Sequence, residues 1–261
     1  MADKGRRAAP LPRTFYDRDP LEVAPELLGK ILLRVARASA GGLLAPTVPV
    51  APGGTLSSPA PSVRTGRIVE VEAYRGVDDA ASHAFRGRTP RCATMFGPAG
   101  HLYVYFTYGM HHCANVVCWP EGMAGAVLLR AVEPLEGIAE MRDARLGAAS
   151  AARAADDLCS GPGRLCQALG LDRSHDGADL VHGEQGISIV EVDSSADLPA
   201  VSSGPRVGLG ERVGAVARSQ PWRYWIDGHR SVSRPRQGGV RYSWPPVEGR
   251  ARRGLTGSGT C

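Results

Sequence analysis

Residues 67–74 (RIVEVEAY) and 101–110 (HLYVYFTYGM) constrain this chain most. In both, β-branched or aromatic residues recur at every second position, the period of a strand whose side chains alternate between two faces. On the first run Val69, Val71 and Ala73 take one face, and Glu70, Glu72 and Tyr74 take the other. On the second run Tyr103 and Tyr105 share a face, and Tyr108 ends the strand before Gly109. A chain organised around such runs has to bury a sheet.

The surrounding sequence extends that reading. Residues 19–29 carry the punctuation of a short helix closed by Gly29, and residues 30–35 read as a strand. A further strand is expected over 126–132. Leu135, Ile138 and Met141 are spaced for a helix across 133–146, with Pro134 near its start. The segment 160–170 reads as a capped helix, with Ser160 at the N-cap, Pro162 in the first turn and Gly170 past the end. Short strands are expected over 187–192 and 222–227. Strands that follow one another as hairpin-like neighbours, with few helices between them, predict an α+β fold: a single domain with a curved, mainly antiparallel β-sheet and flanking helices. Residues 1–13 read as a disordered basic N-terminus and 14–233 as the domain. Within it, 38–66 is a low-complexity insertion loop, and 234–261 is an Arg/Gly/Pro-rich mobile tail.

Composition narrows the setting. The chain has 261 residues, 43% of them hydrophobic, enough for one core. No apolar run approaches the roughly 18 residues of a membrane span. The N-terminus also lacks the apolar stretch of a signal peptide, so a soluble, cytoplasmic protein without membrane association is expected. Six cysteines form no CxxC pair, and His111 and His112 beside Cys113 lack the second tight pair that structural zinc requires. Free thiols, no metal and no cofactor are therefore expected. The net charge of +5 is uneven: residues 201–261 hold eleven Arg against Glu211, Asp227 and Glu248. Such a surplus fits either a solvated basic face or a phosphate-binding surface, where neutralised phosphates release condensed counterions.

The chemistry lies in the two opening runs. An acid beside an aromatic ring can line a cleft, and a carboxylate at a reacting centre can deprotonate water or stabilise positive charge. Glu70 and Glu72 both qualify. A glycoside hydrolase using both loses ground, because acid and nucleophile must flank the scissile bond and these two lie side by side on one strand. A strand tyrosine is more often core than platform, yet three of them next to an acid and Asn115 suit a planar ligand. The Ser160-Gly-Pro-Gly helix start, with Arg164 in its first turn, suits a phosphate. A non-catalytic nucleic-acid binder would have no use for an acid facing phosphates. Val207-Gly-Leu-Gly210 matches neither a helix-hairpin-helix turn nor a dinucleotide fingerprint, since position 213 is Val, and reads as a tight turn.

Taken in order, RIVEVEAY, His83, TPR at 89–91, LYVYFTYGM at 102–110, Asn115, VLLRAVEPLEG at 127–137, CSGPGRLCQALG at 159–170 and RVGLG at 206–210 resemble the alkyladenine (3-methyladenine) DNA glycosylase family, in its bacterial form. The resemblance covers 14–37 and 67–233, with the 38–66 insertion, the tail and His111-His112 as departures. It implies a monofunctional glycosylase of base excision repair in the bacterial cytosol, associated with the nucleoid. Such an enzyme acts as a monomer on double-stranded DNA containing damaged purines. It flips alkylated or deaminated purines such as 3-methyladenine out of the duplex and hydrolyses the N-glycosidic bond. The resemblance makes Glu72, not Glu70, the general base. Tyr74, His83 and Tyr105 would hold the flipped base, and Asn115 would crowd an exocyclic amine. Tyr108 would fill the gap in the stack, and Met110, Arg130 and Arg164 would contact DNA.

Overall fold

The computed structural model describes residues 9–36, 61–107, 109–146, 154–191, 200–233 and 240–242. Its organising element is a long central strand, β2 (Ser62–Tyr74), flanked on both edges. One edge pairs with β5 (Ala126–Glu136); the other pairs first with β1 (Ile31–Ala36) and then with β8 (Arg223–Ile226), every pairing being antiparallel. Beyond β5 come β4 (His111–Val117) and the edge strand β3 (Leu102–Thr107). Beyond β8 come β7 (Val201–Gly204) and β9 (Val240–Arg241), while β6 (Ile187–Val190) pairs with β1. Among the described residues nine strands thus form one mainly antiparallel sheet, accompanied by five helices, and the α+β expectation holds.

The helices are α1 (Arg13–Tyr16), α2 (Pro20–Leu27), α3 (Ile138–Leu146), α4 (Pro162–Leu169) and α5 (Gly214–Ser219). Sequence dictates α2 locally. The Asp19 carboxylate accepts the Leu21 N–H at 2.9 Å, and Gly29 takes φ +85° just beyond the helix. Leu27, Leu165 and Leu169 join Val69, Val71, Ala73, Leu102, Val116 and Leu129 in the main core. Each of the leucine and valine side chains among them contributes about 1.5–3 kcal/mol on burial.

Several expectations are corrected. Residues 68–73 are buried on both faces, because helices cover one side and the site described below covers the other. The alternation is broken as well: register shifts on either side of Glu70 make a bulge, so both Ile68 and Val69 reach the core. β2 starts at Ser62, inside the segment read as an insertion loop, and residues 38–60 of that segment lie outside the described residues. Residues 9–13 are not disordered: Pro10 bridges to Val190, and Leu11 is buried. Residues 1–8 lie outside the described residues. In the expected tail, 240–242 are ordered and the Tyr242 ring meets Tyr224 edge-on at 5.2 Å; 234–239 and 243–261 lie outside the described residues.

The helix expected from residue 133 starts only at Ile138. β2 claims 133–136 through the pairs Arg67↔Glu133 and Thr65↔Glu136, and Gly137 at φ +73° turns the chain between strand and helix. The N-cap of α4 is Gly161, at φ +123°, and not Ser160, which instead bridges to Ala131. β4, β7 and β9 were not expected at all. No helix among the described residues is long and apolar enough to cross a membrane.

Candidate active site

The centre of the sheet carries an unusual load of charge. Glu70 and Glu72 are both fully buried, with Arg130 from β5 and Arg223 from β8 beside them. The Arg130 guanidinium is shared. Its Nε donates to Glu70 at 2.8 Å, its Nη1 lies 3.1 Å from Glu72, and its Nη2 donates to the Ser233 hydroxyl at 3.1 Å. Arg223 Nε donates to Glu70 at 2.7 Å, and the Ser233 N–H and Oγ–H donate to the same carboxylate at 2.6 and 2.8 Å. Burial alone would push Glu70 up; Arg130, Arg223 and Ser233 outweigh it and hold the group below the usual carboxylate value. Arg130 balances the same way, with the two carboxylates overcoming the desolvation of its charge.

Glu72 differs from Glu70 in what lies above it. It lines a cavity of about 340 Å³ together with Tyr74, His83, Tyr103, Tyr105 and Asn115. That volume is within the ~300–1,000 Å³ common for small-molecule sites. Arg130 pairs with the carboxylate, and two hydrogen-bond donors aim it: the Tyr74 hydroxyl at 2.8 Å and the Val207 N–H at 2.7 Å. Burial, and then the adjacent Glu72 charge, raise Tyr74 well above an ordinary phenol, so it remains a donor. The turn at 206–210 therefore contributes a backbone N–H to the acid.

The aromatic walls are braced from behind. His83 packs edge-on against Tyr105, with ring centroids 4.5 Å apart, and Tyr103 lies 5.5 Å from Tyr105. His83 Nδ1 is 3.0 Å from the Tyr103 hydroxyl. Loss of hydration, followed by the Arg91 charge, lowers His83 to about 4, so the imidazole is neutral at ordinary pH and offers one donor and one acceptor. The Asn115 amide donates to the Tyr103 carbonyl at 3.1 Å, which orients it in the wall. Behind Tyr74 lies Arg206, 4.6 Å from that ring and 4.9 Å from Trp222, and its guanidinium grips Asp79 through two buried hydrogen bonds.

A second cavity, of about 640 Å³, adjoins the first and shares Thr107, Cys113, Arg130 and Pro162 with it. Gly161 and Gly163 at the start of α4, Arg164, Arg145 and His111 line it. On the β3–β4 hairpin Phe106 and Met110 are exposed, at 50% and 66%.

The residues expected in the pocket, Glu72, Tyr74, His83, Tyr105 and Asn115, are thus brought together. Arg164 is exposed and lines the second cavity, Met110 is exposed on the β3–β4 hairpin, and Tyr108 lies outside the described residues. Arg130, expected on the DNA surface, is instead buried at 6% and engaged with both glutamates, because an unpaired carboxylate there would be costly. Sequence reasoning missed that clamp, although a lone Arg in the apolar run AVLLRAV hinted at a buried partner. Arg206, Asp79, Arg223 and Ser233 were missed as well, while Tyr103, expected on the same strand face as Tyr105, lines the pocket beside it. The five cysteines among the described residues are buried free thiols.

A carboxylate paired with an arginine and aimed by two hydrogen-bond donors under an aromatic cavity is the build of a hydrolytic site for a flat ring system. The wall polarity and basic rim suit a nucleobase attached to its backbone. The sequence pattern of the methylpurine-DNA glycosylase family matches residues 45–230. A Burkholderia lata protein named "Putative 3-methyladenine DNA glycosylase" is 48% identical over 228 residues, covering 87% of this chain and 92% of its own length. Proteins of the same name from Streptomyces avermitilis, 43% identical over 86% of this chain and 91% of their own length, and Anaeromyxobacter dehalogenans, 42% identical over 86% and 87%, agree. The chain belongs to the methylpurine-DNA glycosylase family.

Proposed function

We propose that this protein excises alkylated purines such as 3-methyladenine from double-stranded DNA by hydrolysing the N-glycosidic bond, with Glu72 as general base. The observation that carries this reading is the Glu72 carboxylate, buried beneath the aromatic cavity, paired with Arg130 and aimed by Tyr74 and Val207. The bond from the sugar C1′ to the purine breaks and leaves an oxocarbenium-like sugar. Glu72 takes a proton from the water that attacks C1′, and the base departs with the bonding electron pair. Alkylation has already made the purine cationic, so it leaves as a neutral molecule and is drawn to π-rich walls beforehand.

The base reaches this pocket by flipping out of the duplex, since the pocket cannot admit a stacked pair. Tyr74 and Tyr105 stack on it and His83 meets its edge, while Asn115 disfavours an exocyclic amine. Tyr108 occupies the gap in the stack, and Met110 and Arg164 hold the flanking backbone. Deaminated purines such as hypoxanthine are also substrates; being neutral, they need protonation to leave. Arg130 works from below, holding Glu72, and does not contact phosphate. The protein acts as a monomer.

Glu72→Gln tests the reading. Incubated with methylated duplex DNA, the variant should release free base about 10²–10⁴-fold more slowly. Its binding to lesion-bearing duplex should persist. Undiminished release would reject Glu72 as the base.

A further inference from the structure

We propose that Glu70 is a positioning residue for catalysis, setting the strength of Glu72 as a base by competing with it for Arg130. The proposal rests on the reading of Glu72 as the base. Both carboxylates bond one guanidinium through different nitrogens, Nε to Glu70 and Nη1 to Glu72. Glu70 holds its share through a second cation, Arg223, and through both donors of Ser233, so it is the better satisfied of the two. Neither carboxylate has any solvent exposure, and each therefore feels the other's charge with little screening. Four charges, two of each sign, balance at the floor of the pocket.

The consequence is a division of one cation. An Arg130 committed to Glu72 alone would stabilise its carboxylate further and weaken it as a base. With Glu70 taking Nε, the clamp keeps its geometry while part of its charge is spent elsewhere. The titratable and charged groups around Glu72 are Tyr74 on its own strand, Arg130 on β5, Tyr103 and Tyr105 on β3, Cys113 on β4, His83 in the facing wall, Arg223, its register partner on β8, and the Arg206–Asp79 pair behind Tyr74. Arg206 is tied to Asp79, so among the described residues the balance turns on the guanidinia of Arg130 and Arg223.

The test is the pH dependence of single-turnover release from methylated duplex DNA, with folding followed by circular dichroism. In Glu70→Gln the competing charge is gone and Arg130 turns to Glu72. The plateau rate should fall about tenfold, and the acid limb should move down by about one pH unit. Glu70→Asp, which keeps the charge, should keep the limb in place even if its rate falls. A Glu70→Gln variant that folds, with rate and limb both unchanged, overturns the proposal; so does a loss of thermal stability with an unmoved limb, which marks a purely structural residue. If Glu70→Gln does not fold, Arg223→Gln reads the same device from the other side. Glu70 then draws harder on Arg130 and the acid limb should move up, and an unmoved limb again overturns the idea. Glu72→Gln runs alongside: full activity there defeats the base assignment itself, whereas an inactive Glu72→Gln beside a wild-type-like Glu70→Gln defeats only the competition.

Discussion

The floor and the rim of the cavity are built on opposite terms. The floor, where β2, β5 and β8 meet, buries two carboxylates and two guanidinia with at most 6% exposure, each satisfied by named partners. The rim at the start of α4 leaves Arg164 exposed beside the second cavity, and on the nearby β3–β4 hairpin Phe106 and Met110 are half or more exposed. Charge at the floor is enclosed and geometrically defined, which suits chemistry. Charge and apolar surface at the rim are open, which suits contact with a large anionic partner. The same side-chain types thus do different work at different depths.

Experiments can break this contrast. The largest effect should come from Glu72→Gln, through base release as described above. Next, Asp79→Asn strands the buried Arg206 behind Tyr74, and unfolding by denaturant should show a loss of about 3–5 kcal/mol. A loss below 1 kcal/mol would mean that the backing of the aromatic wall is dispensable. At the rim, Arg164→Ala should leave stability within about 0.5 kcal/mol of the parent. It should instead lower the salt slope of DNA binding by about one. If its stability dropped as far as that of Asp79→Asn, the floor–rim distinction would fail.

The smallest effect concerns His83. Its folded value, about 4, lies below the roughly 6.5 of an unfolded histidine. The unfolded chain therefore takes up a proton first, and stability declines as pH falls from about 6.5 to about 4, then levels off. His83→Gln should flatten that part of the stability curve. An NMR titration should place the imidazole near 4; a midpoint near 6.5 would show that this wall histidine is not held neutral by its surroundings.

Much of this was legible in the sequence, and the misses have physical reasons. The period-two run at 67–74 announced both the central strand and the acid beside an aromatic. It could not show the bulge at Glu70, which arises from pairing with β5. Leu135, Ile138 and Met141 do fit a helix, yet tertiary pairing with β2 overrode that spacing up to Glu136. The run at 111–117 lacks strong alternation, so β4 declared itself only through its neighbours on both sides. At the site, the pocket-lining side chains could be assigned because a family resemblance tied separate motifs together. The supports could not: Asp79 and Arg206 are 127 positions apart, Glu70 and Ser233 163, and no local pattern links such pairs.

The position of β2 has one more consequence. A strand paired along both edges has no route to local opening, because releasing it requires its neighbours on each side to separate first. The backbone amides at 70–72 should then exchange with heavy water only through global unfolding, while those of the β3 edge exchange by fraying. On warming, the molecule should lose its grip on its partner before it loses the geometry around Glu72. Reactivity would then be the last property to melt.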